Sequence, residues 1–341
     1  MKNCMKLSSK ILSKTSALYV CALGLLAASV LLGLALGSAD IGIADVVKVI
    51  FGKGDNATAV KIIKYVRLPR VLAALVCGAA LSSAGAVIQG VLANKLASPS
   101  IIGVNSGAGL AVTLCAAFGI YGGWQLSLFA FVGAFASVMI VSLGARRWGA
   151  SRGTVILMGV ALGSFLGAIS DTVITLDTDA GVISNDFKIG DLSFVTYSKL
   201  LPAAIVTVAV LAILFTLSNE LDVLSLGDEN AKGLGLNASA VRVIFLILAA
   251  LLASSAVSIA GLLSFVGLLV PHAVRRFTGN EAKKLLPLCA LFGAGFVALC
   301  DTIARILFAP YELPVGIIMA FVGAPFFIFI LIKGKGGHRD A

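Results

Sequence analysis

Residues 96–145 read LASPSIIGVN SGAGLAVTLC AAFGIYGGWQ LSLFAFVGAF ASVMIVSLGA, a run of 50 without one Asp, Glu, Lys or Arg. At 1.5 Å per residue the run makes roughly 75 Å of helix, more than twice the ~30 Å hydrocarbon core of a bilayer. It is therefore two spanning segments, and Tyr121-Gly122-Gly123-Trp124 is where they turn. The rest of the chain has the same character. Hydrophobic residues fill 59% of the 341 positions and charged residues 12%, about half the ~25% that keeps a soluble domain solvated. A water-soluble globular protein is excluded.

Cutting the sequence wherever charges or Gly/Pro/Asn clusters interrupt an apolar run gives ten candidate spans, at 16–37, 71–92, 101–120, 126–143, 154–174, 200–217, 243–260, 261–274, 285–300 and 313–332. A crossing needs about 20 mainly apolar residues. The weakest cut falls within residues 243–274, where 32 uncharged residues give roughly 48 Å of helix and two full spans need ~60 Å. One helix there is expected to be short or re-entrant. The fold expected is all-α and polytopic, a single transmembrane domain over residues 1–341 with about ten helices.

With the N-terminus inside, 17 of the 26 Lys and Arg lie on the cytoplasmic side and 9 outside, while the 16 acids divide into 6 inside and 10 outside. The positive-inside rule thus favours both termini in the cytoplasm of a cell-membrane protein. The net charge of +10 is mostly topology, and nucleic acid is set aside as a partner. The first apolar run follows Lys2, Lys6, Lys10 and Lys14 as a signal peptide would, but at about 22 residues it exceeds a usual h-region and reads as the first spanning helix. Cys21, Cys77, Cys115, Cys289 and Cys300 are scattered through apolar runs without C-x-x-C spacing and read as small core residues.

Outer loops 38–64 and 177–199 are expected to carry short interfacial helices. The inner loop 219–240 is different. Ser225-Leu-Gly-Asp228 has the form of a capping box, Asp228 and Glu229 sit where a helix N-terminus favours anions, and Gly233 and Gly235 can end the turn. The pattern predicts a short cytoplasmic helix over 228–234. A faint echo between 80–85 (ALSSAG) and 256–261 (AVSIAG), five helices apart, suggests an inverted repeat, although small residues recur in any helix-packed membrane protein.

Chemistry at bilayer depth is scarce. Asp171, near the outer end of its helix, reads first as an interfacial carboxylate rather than a proton site, Asp301 lies close to an outer boundary, and His272 reads as a neutral hydrogen-bonding residue beside the inner basic cluster. No catalytic constellation, metal-binding cluster or phosphate-binding loop is visible. Gly107-Ala-Gly109 reads as helix packing. No cofactor is expected, and uphill transport by this chain would need energy from elsewhere.

Several strings resemble the FecCD-type permeases of ATP-binding-cassette importers. They are Arg67-Leu-Pro-Arg70 running into a helix with Gly85, Gln89 and Gly90, then Asn94-Lys-Leu-Ala-Ser-Pro99 and Gly103-Val-Asn-Ser-Gly-Ala108. Leu226-Gly-Asp-Glu-Asn-Ala-Lys-Gly-Leu-Gly235 and Phe265-Val-Gly-Leu-Leu-Val-Pro-His272 follow. Asp301-Thr-Ile-Ala-Arg305, Glu312-Leu-Pro-Val-Gly316 and Gly323-Ala-Pro-Phe326 complete the ordered set. The chain departs from the family at Lys95, where the family usually has Pro, and at Phe187 to Asp191, where it often has Trp-x-x-Gly-Ser.

The resemblance implies a ten-helix subunit paired with a second permease subunit, alike or paralogous. It also implies two cytoplasmic ATPase subunits and an extracytoplasmic solute-binding protein. The implied cargo is a ferric siderophore, with haem or cobalamin-type complexes behind it. It assigns docking of the binding protein to Arg67, Arg70 and Arg305. Read alone, these arginines are also explained by snorkelling and by an i, i+4 pair of Asp301 with Arg305. It assigns ATPase coupling to the loop segment with Leu226, Gly227, Asp228, Glu229, Ala231, Leu234 and Gly235. The pathway and its inner gate fall to Gln89, Asn94, Leu96, Asn105 and Ser106, with the 151–154 turn near the mouth. The competing class is a self-contained ion-coupled secondary transporter, favoured by the possible repeat and opposed by the lack of buried ionisable groups. An intramembrane enzyme lacks any constellation to support it.

Overall fold

Ten apolar segments call for ten helices, and each segment contains one. A computed structural model of the chain describes residues 2–37, 46, 48, 49, 52, 57–148 and 151–335. In chain order the helices are α1 (Lys2–Ala35), α2 (Ala57–Val91, with a π-helical turn at Ile63–Arg67), α3 (Val104–Ala117) and α4 (Gly123–Arg147). Next come α5 (Arg152–Leu176), α6 (Thr178–Ile189), α7 (Tyr197–Thr216), α8 (Ser218–Ser225) and α9 (Asp228–Gly233). The last are α10 (Ala238–Ala260), α11 (Val266–Thr278), α12 (Ala282–Ile306) and α13 (Val315–Lys335). Among the described residues, seven helices are long and apolar enough to cross a membrane: α1 over Thr15–Ala35, α2, α4, α5, α7, α10 and α12.

Two of the remaining helices are short, each for a local reason. Pro99 opens a 3-10 turn (Pro99–Ile102) and Gly103 sits at φ 95°, so α3 begins only at Val104 and has 14 residues. The short helix expected within 243–274 is α11, 13 residues long, preceded by non-helical residues 262–264 and by Phe265 in the left-handed region at φ 67°. Residues 262–264 therefore cover part of the depth as irregular chain, which a bilayer tolerates only where protein or a cavity surrounds it. α13 is apolar over Val315–Phe329.

The core is built on α2 and α10, whose apolar windows are both 78% buried, whereas that of α5 is 17% buried. Close approach explains the glycines on α2. A Cβ on Gly85 would lie 1.8 Å from the Gly267 carbonyl oxygen on α11, and one on Gly78 would lie 2.1 Å from that of Gly293 on α12. Backbones that near need small residues, the usual adhesive between membrane helices. The two echoing strings lie on these central helices, where the Cys77 thiol donates to the Ala256 carbonyl at 3.6 Å. Cys77, Cys115, Cys289 and Cys300 are buried thiols, and Cys21 is exposed.

The helix expected in the loop 177–199 is α6, capped by Asp177, whose carboxylate accepts from Asp179 N and Ala180 N. Of the loop 38–64, residues 57–62 are helical and run on into α2. Most of the remainder lies outside the described residues. The first apolar run packs into the bundle as α1, with Leu25 against Gly295 of α12.

Candidate functional site

The outer charges converge. Arg70 Nε donates to both Asp301 carboxylate oxygens at 2.9 and 3.1 Å, and its Nη1 donates to Glu312 Oε2 at 2.5 Å. Arg305 pairs with Asp301 at 3.2 Å and donates through Nη2 to the Gly33 carbonyl at 3.0 Å. Arg67 Nη1 donates to the carbonyls of Leu34 and Ala35, both at 2.8 Å. Arg67, Arg70 and Arg305 are 2–4% exposed and Asp301 1%.

The Arg-Leu-Pro-Arg string reads as the start of a helix, where a cation would oppose the macrodipole, but α2 begins at Ala57 and both arginines lie inside it, at and just after its π-helical turn. Arg67 serves a different helix. It and Arg305 satisfy the last carbonyls of α1, the end where positive charge is favoured. Arg70 neutralises Asp301 on α12, and the i, i+4 pair of Asp301 with Arg305 forms alongside it.

At the cytoplasmic side a second carboxylate is shared. Arg242, in the first turns of α10, donates to Asp228 Oδ1 at 2.6 Å and Oδ2 at 2.5 Å. Arg152, the first residue of α5, donates to Oδ1 from Nη2 at 2.9 Å and from Nε at 3.2 Å, and also to the Leu224 carbonyl at 2.8 Å. The Arg242 hydrogen bonds, ahead of those from Arg152, hold the Asp228 carboxyl below the usual carboxylate range. Unlike Asp301, the Asp228 side chain is 42% exposed.

The short helix expected over 228–234 is present as α9, but the capping box is not. The N-cap is Gly227 at φ 111° with no side-chain cap, and the Ser225 hydroxyl donates back to the Asp222 carbonyl. Ser225 is the last residue of α8, so its hydroxyl is taken by its own helix. Gly235, at φ 81°, ends the turn. Ala231 is fully buried and anchors α9, while Leu226 and Leu234 are 60% and 66% exposed and Glu229 is exposed. The loop holds two more helices: Asp222 Oδ1 accepts from Ala282 N at the start of α12 (2.8 Å), and Leu221 lies against Gly90 of α2.

Between the rims lies a cavity of about 220 Å³ where Ser98, Ser100 and Asn105 meet Ser264 and Phe265. Asn105 is thus placed on a polar cavity, whereas Ser106 turns toward Gly163 of α5. Gln89 is buried and donates to the Gly267 carbonyl at 3.2 Å. Asn94 Oδ1 accepts from Leu96 N at 2.9 Å, and Leu96, Lys95 and His272 line a small pocket on the far side of Phe265. The ring of Phe265, wedged against Gly323 of α13, separates that inner pocket from the cavity. Ser151 caps α5 by accepting from Thr154 N.

Sequence reasoning did not single out Arg152 or Phe265. Arg152 is a cation at the N-terminus of α5, where the helix dipole disfavours it, and that points to an anion on another element. Phe265 carried no signal, because a left-handed residue other than glycine has no local signature.

Among the described residues, seven long apolar helices with shorter ones between them make a polytopic membrane bundle, with a cavity between its rims and a short cytoplasmic helix clamped to α5 and α10. The chain belongs to the FecCD transport family, whose model matches residues 25–333. It is 36% identical over 304 residues to the Fe(3+)-citrate import system permease protein YfmD of Bacillus subtilis (strain 168), covering 89% of this chain and 91% of that one. It is 33% identical over 311 residues to the hemin transport system permease protein HmuU of Yersinia pestis, with 89% and 92% covered. A solved metal-chelate-type ABC transporter in an inward-facing conformation superposes with a TM-score of 0.81 at 29% identity, over 93% of this chain and 99% of that one. The protein is an ABC-transporter permease of the inner membrane.

Proposed function

We propose that this chain carries a ferric siderophore, or a haem- or cobalamin-type complex, from an extracytoplasmic binding protein into the cytoplasm, driven by two ATPase subunits that seat on α9. The observation that supports the reading is the build of α9. Leu226, Glu229 and Leu234 face outward while Asp228 is clamped to Arg152 and Arg242. Two exposed leucines on a charged cytoplasmic surface suit a protein partner, and the clamp gives that partner a handle on α5 and α10. Along α5, Gly159 lies against Ile101 and Gly163 against Ser106. A push on α9 therefore reaches the 3-10 turn and α3 beside the cavity, with Asn94, Leu96 and Phe265 closing the inner mouth and Gln89 fixing Gly267 beside it.

α5 is the least buried of the long helices and carries Ala161, Ser164, Ala168 and Asp171 at helical spacing toward the outside. Lipid is a poor neighbour for that stripe, and a second permease subunit across it completes the pathway. At the outer face Arg67, Arg70 and Arg305 form the base of the docking surface. Direct hand-over of acidic groups to them requires Glu312 to swing aside. The iron-chelate and hemin names of the relatives support the cargo class.

The test is reconstitution of the permease with its ATPase and binding protein in vesicles loaded with ATP. Uptake of a ferric siderophore that needs ATP and the binding protein is expected. Uptake that persists without the ATPase and collapses with the proton gradient would overturn the reading in favour of a secondary transporter.

A further inference from the structure

At the outer end of the bundle, the starts of α4 and α7 and the end of α10 enclose two adjoining cavities of about 240 and 190 Å³ that share Ser127, Lys199 and Ser258. The larger continues down the α4–α7 groove over Leu128, Phe131, Ala203 and Val206. The smaller opens toward Asp186 and Asp191, with Tyr121 at its edge. Lys199 is half-buried in this groove, and its ammonium has no ion-pair partner among the described residues. Asp191 lines the smaller cavity but forms no ion pair with Lys199 among the described residues, its Oδ1 being turned to Leu192 N, Ser193 N and the Ser193 hydroxyl. A cation kept at a membrane boundary beside hydroxyls, with an apolar trench below and Trp124 and Tyr121 above, fits a molecule with an anionic head and an apolar tail.

We propose that Lys199 holds the phosphate of an outer-leaflet phospholipid with an amine headgroup, phosphatidylethanolamine, whose ammonium faces Asp186 and whose acyl chain fills the α4–α7 groove. Ser127 donates to a remaining phosphate oxygen, while the Ser258 hydroxyl, which donates to the Ser255 carbonyl at 2.8 Å, forms part of the wall. Asp186, exposed at the rim, is what distinguishes an amine headgroup from a glycerol one. The site lies apart from the polar cavity and from α9, and it stands whether or not the transport reading does.

Trp124 lines the groove, and the chain has only one other tryptophan, Trp148. The Trp148→Phe protein, placed in nanodiscs of phosphate-free digalactosyl diacylglycerol, leaves Trp124 as the sole reporter. A small mole fraction of brominated-acyl phosphatidylethanolamine should quench Trp124 several-fold more than the same fraction of brominated galactolipid, with brominated phosphatidylglycerol in between. Lys199→Gln should bring both phospholipids down to the galactolipid level, Lys199→Arg should keep the preference, and Asp186→Asn should erase the difference between the two phospholipids. An unchanged Trp124 emission maximum in Lys199→Gln establishes that the groove is intact. Equal quenching by all three lipids, or a preference that survives Lys199→Gln, would overturn the proposal.

Discussion

The two ends of the molecule use the same chemistry, arginines sharing a carboxylate, in opposite settings. At the outer end Asp301 is sealed between Arg70 and Arg305, both at most 4% exposed, with Glu312 more open at the edge, and the partners lie on α2 and α12, which already pack backbone to backbone. At the inner end Asp228 sits between Arg152 and Arg242 with 42% of its side chain open, on a six-residue helix held by one buried alanine and its flanking loops. A sealed charge cluster is costly to separate, so the outer network fixes α1, α2 and α12 as one body. An open pair is cheap to remake, so the inner clamp is suited to transmit a push. Burial, rather than residue type, decides which cluster is frame and which is joint.

Removing the shared carboxylate at each end should expose that difference. Asp301→Ala leaves the buried Arg305 guanidinium without its carboxylate and Arg70 with Glu312 alone, a loss of about 3–5 kcal/mol. The expected result is a large drop in the thermal midpoint in detergent or failure to accumulate folded protein. Replacing Arg70, Asp301 and Arg305 together with Met, Leu and Leu should recover most of the loss, since an apolar substitute for a whole buried cluster is often neutral. Gly85→Val tests the backbone contact that supports the frame. Its side chain meets the Gly267 carbonyl, and overpacking of about 1–3 kcal/mol is expected, read as a lower midpoint and reduced protection of α11 in hydrogen exchange.

Asp228→Asn, by contrast, should cost about 1–2 kcal/mol, less than Asp301→Ala, because Asp228 is open to solvent although its partner Arg242 is buried. With the Asp228 carboxyl held low, its clamp is intact at neutral pH and is lost only as pH falls below the ordinary carboxylate value of about 3.9. The emission of an environment-sensitive, pH-insensitive fluorophore already attached to a cysteine placed at Leu234 should accordingly stay flat from about pH 8 to about pH 5. The smallest effect on stability, about 0.5 kcal/mol or less, is expected for Leu226→Asp with Leu234→Asp. That protein should stay folded yet no longer co-purify with its ATPase.

The frame and the joint were unequally legible in the sequence. The apolar runs were plain because each is a local property of about 20 residues, and the short α11 followed from arithmetic on residues 243–274. Partnerships were not. Arg70 meets Asp301 and Glu312 across 231 and 242 residues of chain, and no spacing rule reaches that far. The capping box at Ser225 failed because its three-residue spacing does not reveal that Ser225 ends one helix rather than starting the next. Asn105 lines a cavity between the rims, but Ser264 and Phe265 join it there only because residues 262–264 leave the helix, which nothing in a run of leucines and serines foretells.

The most direct measurement compares uptake per ATP hydrolysed in the reconstituted complex before and after Asp228→Asn. If Asp228 is the joint between α9 and α5, ATP hydrolysis stimulated by the loaded binding protein persists while uptake per ATP falls severalfold, with the thermal midpoint lowered less than by Asp301→Ala. Uptake per ATP equal to that of the parent protein would contradict it.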